Sequence, residues 1–453
     1  MNFTVKEIAE IIGGVVLCGD ENTRITNVKF DSREVGEGTL FVPIRGAKVD
    51  PHDFIEDCFK KGAAAALTER DTVKYTDKPY IRVENCLSAL QKLSAYYRQS
   101  MKAKLIGVTG SVGKTSTKEM IAAALSKGFD VMKTQGNRNS QIGLPITMFE
   151  ISPYNDIAVI EMGMSEFGEM DRLCDIAKPD IAVMTNIGKA HIENLGTQEN
   201  ILEEKFKITK NFDENGVLFL NGNDPLLMTL YNKQPFKTLS FGLTPDCDCY
   251  AENIRTDGFD TVFTCRFGDV KTELKIPALG QHSVMNAAAA FAAGIYLGLD
   301  VHTIQQGLLT YKNAPMRQQI HKLSDFVLID DSYNSSPEAA KVSTDVLKSI
   351  AKGKTIAVLA DMLELGDEAE IEHYNVGKHL ASRGIDVLIA IGQLSENTAR
   401  GARENGCGCV VHFNDNDSAY EYLSGIIERN CTVLVKGSRG MHTDEICKKM
   451  KAE

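Results

Sequence analysis

The sequence predicts an α/β protein of three domains: a small α/β unit over residues 1–100, a central unit on a mostly parallel sheet over 101–315, and a Rossmann-like α/β unit over 316–453. Three observations predict it. The chain has 453 residues, and domains average about 150. From residue 103 onward, short apolar runs ending in Gly or a polar turn alternate with helical segments, the pattern of parallel strands joined by helical crossovers. A Gly-rich loop, Gly110-Ser-Val-Gly113-Lys114-Thr115-Ser116, stands between one such run and a helix.

In the first unit, residues 39–44 read as a strand after the turn Gly36-Glu37-Gly38. A helix pattern over 54–61 stops at Gly62, 63–67 reads as a buried strand, and 87–99 as an amphipathic helix leading into a linker. The central unit has strand candidates at 105–109, 157–161, 181–185 and 217–220, then a polar, β-like stretch at 250–276 that predicts a small antiparallel excursion. The last unit has strand candidates at 326–331, 355–360, 387–391 and 432–435 with helices between them. In open α/β sheets ligands gather at the carboxyl ends of strands, and the motifs below fall at such ends.

Composition excludes several classes. Lys and Arg number 50 against 61 Asp and Glu, a net charge of −11, which argues against nucleic-acid binding through the overall field but allows a local cationic pocket. Hydrophobic residues at 43% and charged residues at 25% fit a globular chain. The 11 Cys are scattered, and the close pairs Cys247/Cys249 and Cys407/Cys409 are not C-x-x-C and lack His at zinc spacing. They read as structural thiols of a reducing cytosol. The N-terminus has no signal-peptide core, and the low-polarity stretch 287–298 is too short to span a bilayer. A cytoplasmic protein with no membrane insertion is expected.

The loop Gly110, Ser111, Val112, Gly113 has two residues between its glycines, where the full Walker pattern has four. Its glycines let backbone N–H groups curl around phosphate oxygens, the helix N-terminus adds positive dipole, and Lys114 supplies a point charge. Thr115 or Ser116 can offer a hydroxyl to Mg²⁺. Glu161 ends its strand as either a Mg²⁺ ligand or a solvated terminus. His191 follows Thr185-Asn186-Ile-Gly188; a lone His is usually structural, and Mg²⁺ prefers oxygen. Lys205, in a helical mixed-charge stretch, reads as part of a solvated helix face.

Taken together, these segments resemble the Mur ligases, ATP-dependent amide-forming enzymes of peptidoglycan precursor synthesis, over essentially the whole chain. The markers run in order: Thr109 to Thr115, Glu161-Met-Gly163, Thr185 to His191, Lys205, Gly280-Gln-His282 to Asn286, and Lys436-Gly-Ser438-Arg439. Gly136-Asn137-Arg-Asn139 to Gly143 and Asp330-Asp331-Ser-Tyr333-Asn334-Ser-Ser-Pro337 resemble the members that add D-alanyl-D-alanine to a UDP-N-acetylmuramoyl tripeptide. The Asp-Asn-Pro-Arg stretch of diaminopimelate-adding relatives is absent. Pro51, Ser140 and Ser283 depart from common family residues.

The resemblance implies ATP as co-substrate, two Mg²⁺ ions, an acyl-phosphate intermediate and a monomer. It implies that Glu161 and His191 hold Mg²⁺ and that Lys205 is carbamylated; a carbamate would reverse the ammonium charge and supply oxygens. Asn286 would contact adenine, and Arg317 and Asp331 would reach the γ-phosphate and ribose. Ser32, Arg33 and Gly46 resemble a UDP-sugar segment. Asn137, Asn139, Tyr333 and Asn334 fall to substrate binding, and Lys436, Ser438 and Arg439, with the loop 361–366, to the dipeptide side. The three domains would then take the UDP-sugar precursor, ATP and the dipeptide. Alternatives are a ligase adding the third amino acid, a folylpolyglutamate synthase-like ligase, and a non-catalytic nucleotide switch, which gives no reason for Glu161, His191 and Lys205 to coexist.

Overall fold

The computed structural model describes residues 1–46, 48–73 and 77–452. The first sheet has the strand order Val15–Cys18, Tyr80–Arg82, Ala65–Thr68, Thr39–Phe41, Asn27–Lys29. The strand predicted at 39–44 ends early: Val42 N still donates to Lys29 O, and Pro43, which has no N–H, closes the ladder. The helix Cys86–Gln99 starts on Asn85, whose side chain accepts from Ser88 N. It does not lead into a free linker. It packs on Gly143–Glu150 and Glu169–Ala177 of the central unit, Ser94 Oγ donates to Pro145 O, and Ile146 joins the first unit's core.

The central sheet has nine strands, in the order Val270–Ile276, Asp260–Phe267, Cys249–Asp257, Lys237–Gly242, Val217–Asn221, Ile181–Met184, Lys104–Thr109, Ile157–Glu161, Val131–Lys133. From Val131–Lys133 to Lys237–Gly242 all pairings are parallel. The expected antiparallel excursion extends this same sheet: Cys249–Asp257 pairs parallel to Lys237–Gly242 before two hairpins reverse the chain. Ile157–Glu161 and Val217–Asn221 are buried along their whole length, which is why they read as unbroken apolar runs. The phosphate-loop strand, Lys104–Thr109, lies between Ile157–Glu161 and Ile181–Met184, so Glu161 and Thr185 emerge beside the loop.

The low-polarity stretch forms most of the helix Gln281–Tyr296, where Ala287 to Ala293 are fully buried against the helix Lys114–Leu125. Small side chains there let the two helices lie close together over the sheet. The third sheet has the order Gln319–Lys322, Val327–Asp330, Thr432–Lys436, Thr355–Ala360, Val387–Ile391, Cys409–Phe413, parallel except for its first, antiparallel pair. The loops after Val327–Asp330, Thr432–Lys436 and Thr355–Ala360 therefore converge at one end. Among the described residues, no helix is long and apolar enough to cross a membrane.

Candidate active site

The phosphate loop turns on two positive-φ glycines, Gly110 (φ +149°) and Gly113 (φ +86°). A Cβ on Gly110 would meet Thr185 Oγ1 at 1.9 Å. The loop is held from the next strand end. Thr185 Oγ1 donates to Val112 O (2.5 Å), Val112 N to Asn186 Oδ1 (2.8 Å), and Ser111 N to Asn186 O (3.0 Å). The helix Lys114–Leu125 starts on Gly113 with no side-chain cap, which leaves its N-terminal N–H groups to a ligand. Lys114 Nζ folds onto Gly110 O (2.7 Å) and Ser111 O (3.2 Å); burial lowers its pKa, Arg317 adds to this, and Glu161 opposes it.

Glu161 is almost fully buried. Its Oε2 accepts from Thr115 Oγ1 (2.9 Å) and its Oε1 from Asn139 Nδ2 (2.7 Å), while its backbone N–H goes to Thr134 Oγ1 (2.9 Å). A fixed carboxylate beside a hydroxyl is a donor set that suits Mg²⁺. His191, at φ +65°, places Nδ1 2.7 Å from Glu364 Oε2, a contact that holds the Glu364 carboxyl below its usual range.

Lys205 departs from the solvated helix face expected of its mixed-charge stretch. The helix Gln198–Phe206 turns Ile201, Glu204 and Lys205 inward, and Lys205 is 1% exposed. Its Nζ has no hydrogen-bond partner among the described residues. Burial, reinforced by Lys114, pushes its pKa well below that of an ordinary lysine.

Ser111 to Ser116 line a cleft of about 550 Å³ together with Asn139, Glu161, His191 and Asn286; Arg317, Asp331, Tyr333, Asn334, Lys436, Ser438 and Arg439 line it from the third unit. Asn286 Oδ1 accepts from Thr117 Oγ1 (2.9 Å), and His282, one helical turn before it, lines the same cleft. Arg317 stacks over Tyr333, 4.1 Å from the ring centre. Asp331 Oδ2 accepts from Lys436 Nζ (2.7 Å) and Ser343 Oγ (2.6 Å).

Gly110 and Lys205 are outside the lining, and Asn137 is exposed on the turn before Asn139. Ser32, Arg33 and Gly46 also lie outside this cleft, in the first unit. Arg33 pairs there with Asp31 (2.5 Å), whose carboxyl its hydrogen bonds hold down at about 2, Ser32 O accepts from Lys61 Nζ (2.9 Å), and Gly46 N donates to Val49 O (3.1 Å).

Sequence reasoning had Lys189 and Glu364 inside its marker segments without a role of their own, and left out Glu368, Glu372 and Lys118. Glu364 meets His191 from the third unit, and Lys189 pairs with Glu368 and Glu372 across the same junction. Lys118 is fully buried behind Glu161; its spacing of four from Lys114 was the one available signal.

Among the described residues no disulfide joins any of the eleven cysteines. Among the described residues, one His/Cys/carboxylate trio, His52, Glu69 and Cys86, is close enough for a metal. Its atoms are already used: His52 Nδ1 meets Asp50 (2.6 Å), His52 Nε2 accepts from Glu69 N (3.1 Å), and Glu69 Oε1 accepts from Cys86 N (2.8 Å).

A phosphate loop at the centre of a parallel sheet, facing a second α/β unit across one cleft, defines a nucleotide-dependent enzyme. Family profiles match in the same order: "Mur ligase family, catalytic domain" at residues 24–98, "Mur ligase middle domain" at 108–294, and "Mur ligase, glutamate ligase domain" at 316–439. A Bacillus subtilis UDP-N-acetylmuramoyl-tripeptide–D-alanyl-D-alanine ligase is 38% identical, covering 98% of this chain and 97% of its own. Crystal structures of MurF superpose with TM-scores of 0.92 for Acinetobacter baumannii (28% identity, 100% of this chain, 99% of that one) and 0.82 for Thermotoga maritima in complex with ADP (30%, 94% and 97%). The chain belongs to the Mur ligase family, whose members are ATP-dependent enzymes that form amide bonds.

Proposed function

We propose that this protein joins D-alanyl-D-alanine to UDP-N-acetylmuramoyl tripeptide at the expense of ATP, in cytoplasmic peptidoglycan precursor synthesis. The observation that carries the reading is the single cleft in which the phosphate loop and Glu161 face Arg317, Asp331 and Lys436 of the third unit. Similarity along the full length of the Bacillus subtilis ligase supports this acceptor over a single amino acid. We also take the protein to act as a monomer, in a reducing compartment that suits cysteines with no disulfide among the described residues.

A carboxylate is a poor electrophile, so the γ-phosphoryl group of ATP first passes to the terminal carboxylate of the tripeptide. The amine of the dipeptide attacks the resulting acyl phosphate, the tetrahedral intermediate collapses, and phosphate leaves. Both steps build negative charge on oxygen, so this chain's task is positioning and cationic stabilisation. With the N–H groups of Ser111 and Val112 held by Asn186, those of Gly113 to Ser116 cradle phosphate oxygens; Lys114 faces the charge from the central unit and Arg317 from the third. Thr115 and Glu161 would hold Mg²⁺, with His191 and Lys205 completing a set for two ions. Bound there, Mg²⁺ would supply neutralisation of phosphate charge.

Lys205 fits carbamylation. A buried amine with lowered proton affinity and no partner among the described residues gives up its proton more readily, and the neutral amine is the form that adds CO₂. We assign precursor binding to the first unit, ATP to the central unit and the dipeptide to the third. Ser32, Arg33 and Gly46 would then meet the distal UDP end of a long substrate whose tripeptide reaches Asn139. The test is phosphate release from ATP with UDP-N-acetylmuramoyl tripeptide. It should require D-alanyl-D-alanine; robust release with lysine or diaminopimelate in its place would overturn the assignment.

A further inference from the structure

Lys118 has no part in the mechanism above, yet it is the most completely buried cation near the site. Its side chain is 0% exposed. Nζ donates to Thr134 O at 2.7 Å and lies 3.1 Å from Glu119 Oε1 and 3.8 Å from Glu161 Oε2. Glu119 has a second cation, Lys133, on its other oxygen. Lys118, Lys133, Glu119 and Glu161 thus form a cluster of two positive and two negative groups, with Lys118 and Glu161 buried, Glu119 partly buried and Lys133 at the solvent side. The other side-chain contacts of Glu161, Thr115 and Asn139, are neutral, and the Nζ of Lys114 is engaged by two loop carbonyls.

We propose that Lys118 is the standing counter-ion of Glu161: it compensates the buried carboxylate while no divalent cation is bound, and it holds Oε2 on the side of Thr115. This rests on the reading of Glu161 as the Mg²⁺ ligand. A buried ionised carboxylate without a cation is strongly unfavourable. An aliphatic side chain would fill the space of Lys118 without desolvating a charge, so packing alone does not call for lysine. Lys118 sits on the helix, Thr134 follows Val131–Lys133, and Glu161 ends the neighbouring strand, so one ammonium fixes three elements around the carboxylate. The arrangement has a cost for metal binding, because Lys118 repels a cation placed on Glu161. Lys118 is a positioning residue; it touches no substrate.

The test is thermal unfolding of the full chain in EDTA and in MgCl₂ alone, for wild type, Lys118→Met and the double variant Lys118→Met/Glu161→Gln. Lys118→Met should lose about 5 °C or more of Tm in EDTA. It should recover most of that loss in MgCl₂, with an Mg²⁺ midpoint lower than wild type by about threefold or more. The double variant, with the orphaned charge removed, should regain Tm in EDTA and stop responding to Mg²⁺; it also covers the case in which Lys118→Met fails to fold without metal. Equal Tm losses of Lys118→Met in EDTA and MgCl₂, with no rescue by Glu161→Gln, would overturn the proposal and leave Lys118 as a brace for Thr134. Undiminished Mg²⁺-dependent turnover by Glu161→Gln alone would instead overturn the metal reading of Glu161, and this inference with it.

Discussion

Lys205 shows how far a residue's neighbours in sequence can differ from its neighbours in space. Charged residues surround it along the chain, but the helix Gln198–Phe206 turns it into the interior, where its amine meets no acceptor among the described residues. Replacing Lys205 by Ala should abolish ligase activity, and short-chain carboxylates such as acetate should partly restore it by supplying the missing oxygens; full activity of the variant would remove Lys205 from the site. A simpler charge lies at Asp31. Hydrogen bonds from Arg33 lower its carboxyl from 3.8 to about 2. The depressed value means the pair's contribution to stability is complete above the unfolded pKa of 3.8 and is lost as pH falls through about 2. Carbon-detected titration of Asp31 should therefore give a midpoint near 2 in the wild type and near 3.8 in Arg33→Ala. Exposure of Arg33 keeps the stability effect small.

At the scale of elements, the sequence was legible where burial is two-sided and the apolar run is unbroken. Ile157–Glu161, Thr355–Ala360 and Val387–Ile391 are buried end to end and match their apolar runs residue for residue. Of the strands it did not reveal, Val131–Lys133, Gln319–Lys322 and Cys409–Phe413 are half-buried edge strands of mixed polarity, whereas Lys237–Gly242 is interior and buried from its second residue, its apolar run broken by Thr238, Ser240 and Gly242. The phosphate loop was legible because a tight turn around an anion restricts residue type so severely. Gly110→Ala tests that restriction, since its Cβ would sit 1.9 Å from Thr185 Oγ1 at a φ of +149°. The variant should lose about 2 kcal/mol or more of stability and its ADP affinity together, read by thermal unfolding and calorimetry. Retained affinity would mean that the loop relaxes without losing its N–H cradle.

Over the whole molecule, the cleft joins units that the sequence could identify but not orient. Markers such as Lys114, Glu161 and Lys436 were visible as separate signals along the chain; that His191 meets Glu364, and Lys189 meets Glu368 and Glu372, follows from how two units meet, which no local pattern encodes. These contacts hold the third unit against the phosphate loop. Lys189→Met should weaken that junction by about 1 kcal/mol or less, seen in solution scattering as a larger radius of gyration for the free protein. An ATP analogue with both substrates should restore compaction; no change in either state would mean that Lys189 does not hold the units together.

The net charge of −11 also takes its meaning at this scale. In the proposed mechanism anionic substrates bind against the average field, through the N–H groups of Gly113 to Ser116, Lys114 and Arg317. In that mechanism ATP drives amide formation through an acyl phosphate. Tripeptide precursor labelled with ¹⁸O in its terminal carboxylate tests it most directly. With ATP and D-alanyl-D-alanine, each inorganic phosphate released should carry one ¹⁸O from the precursor. Phosphate released free of label, while the amide bond forms, would contradict it.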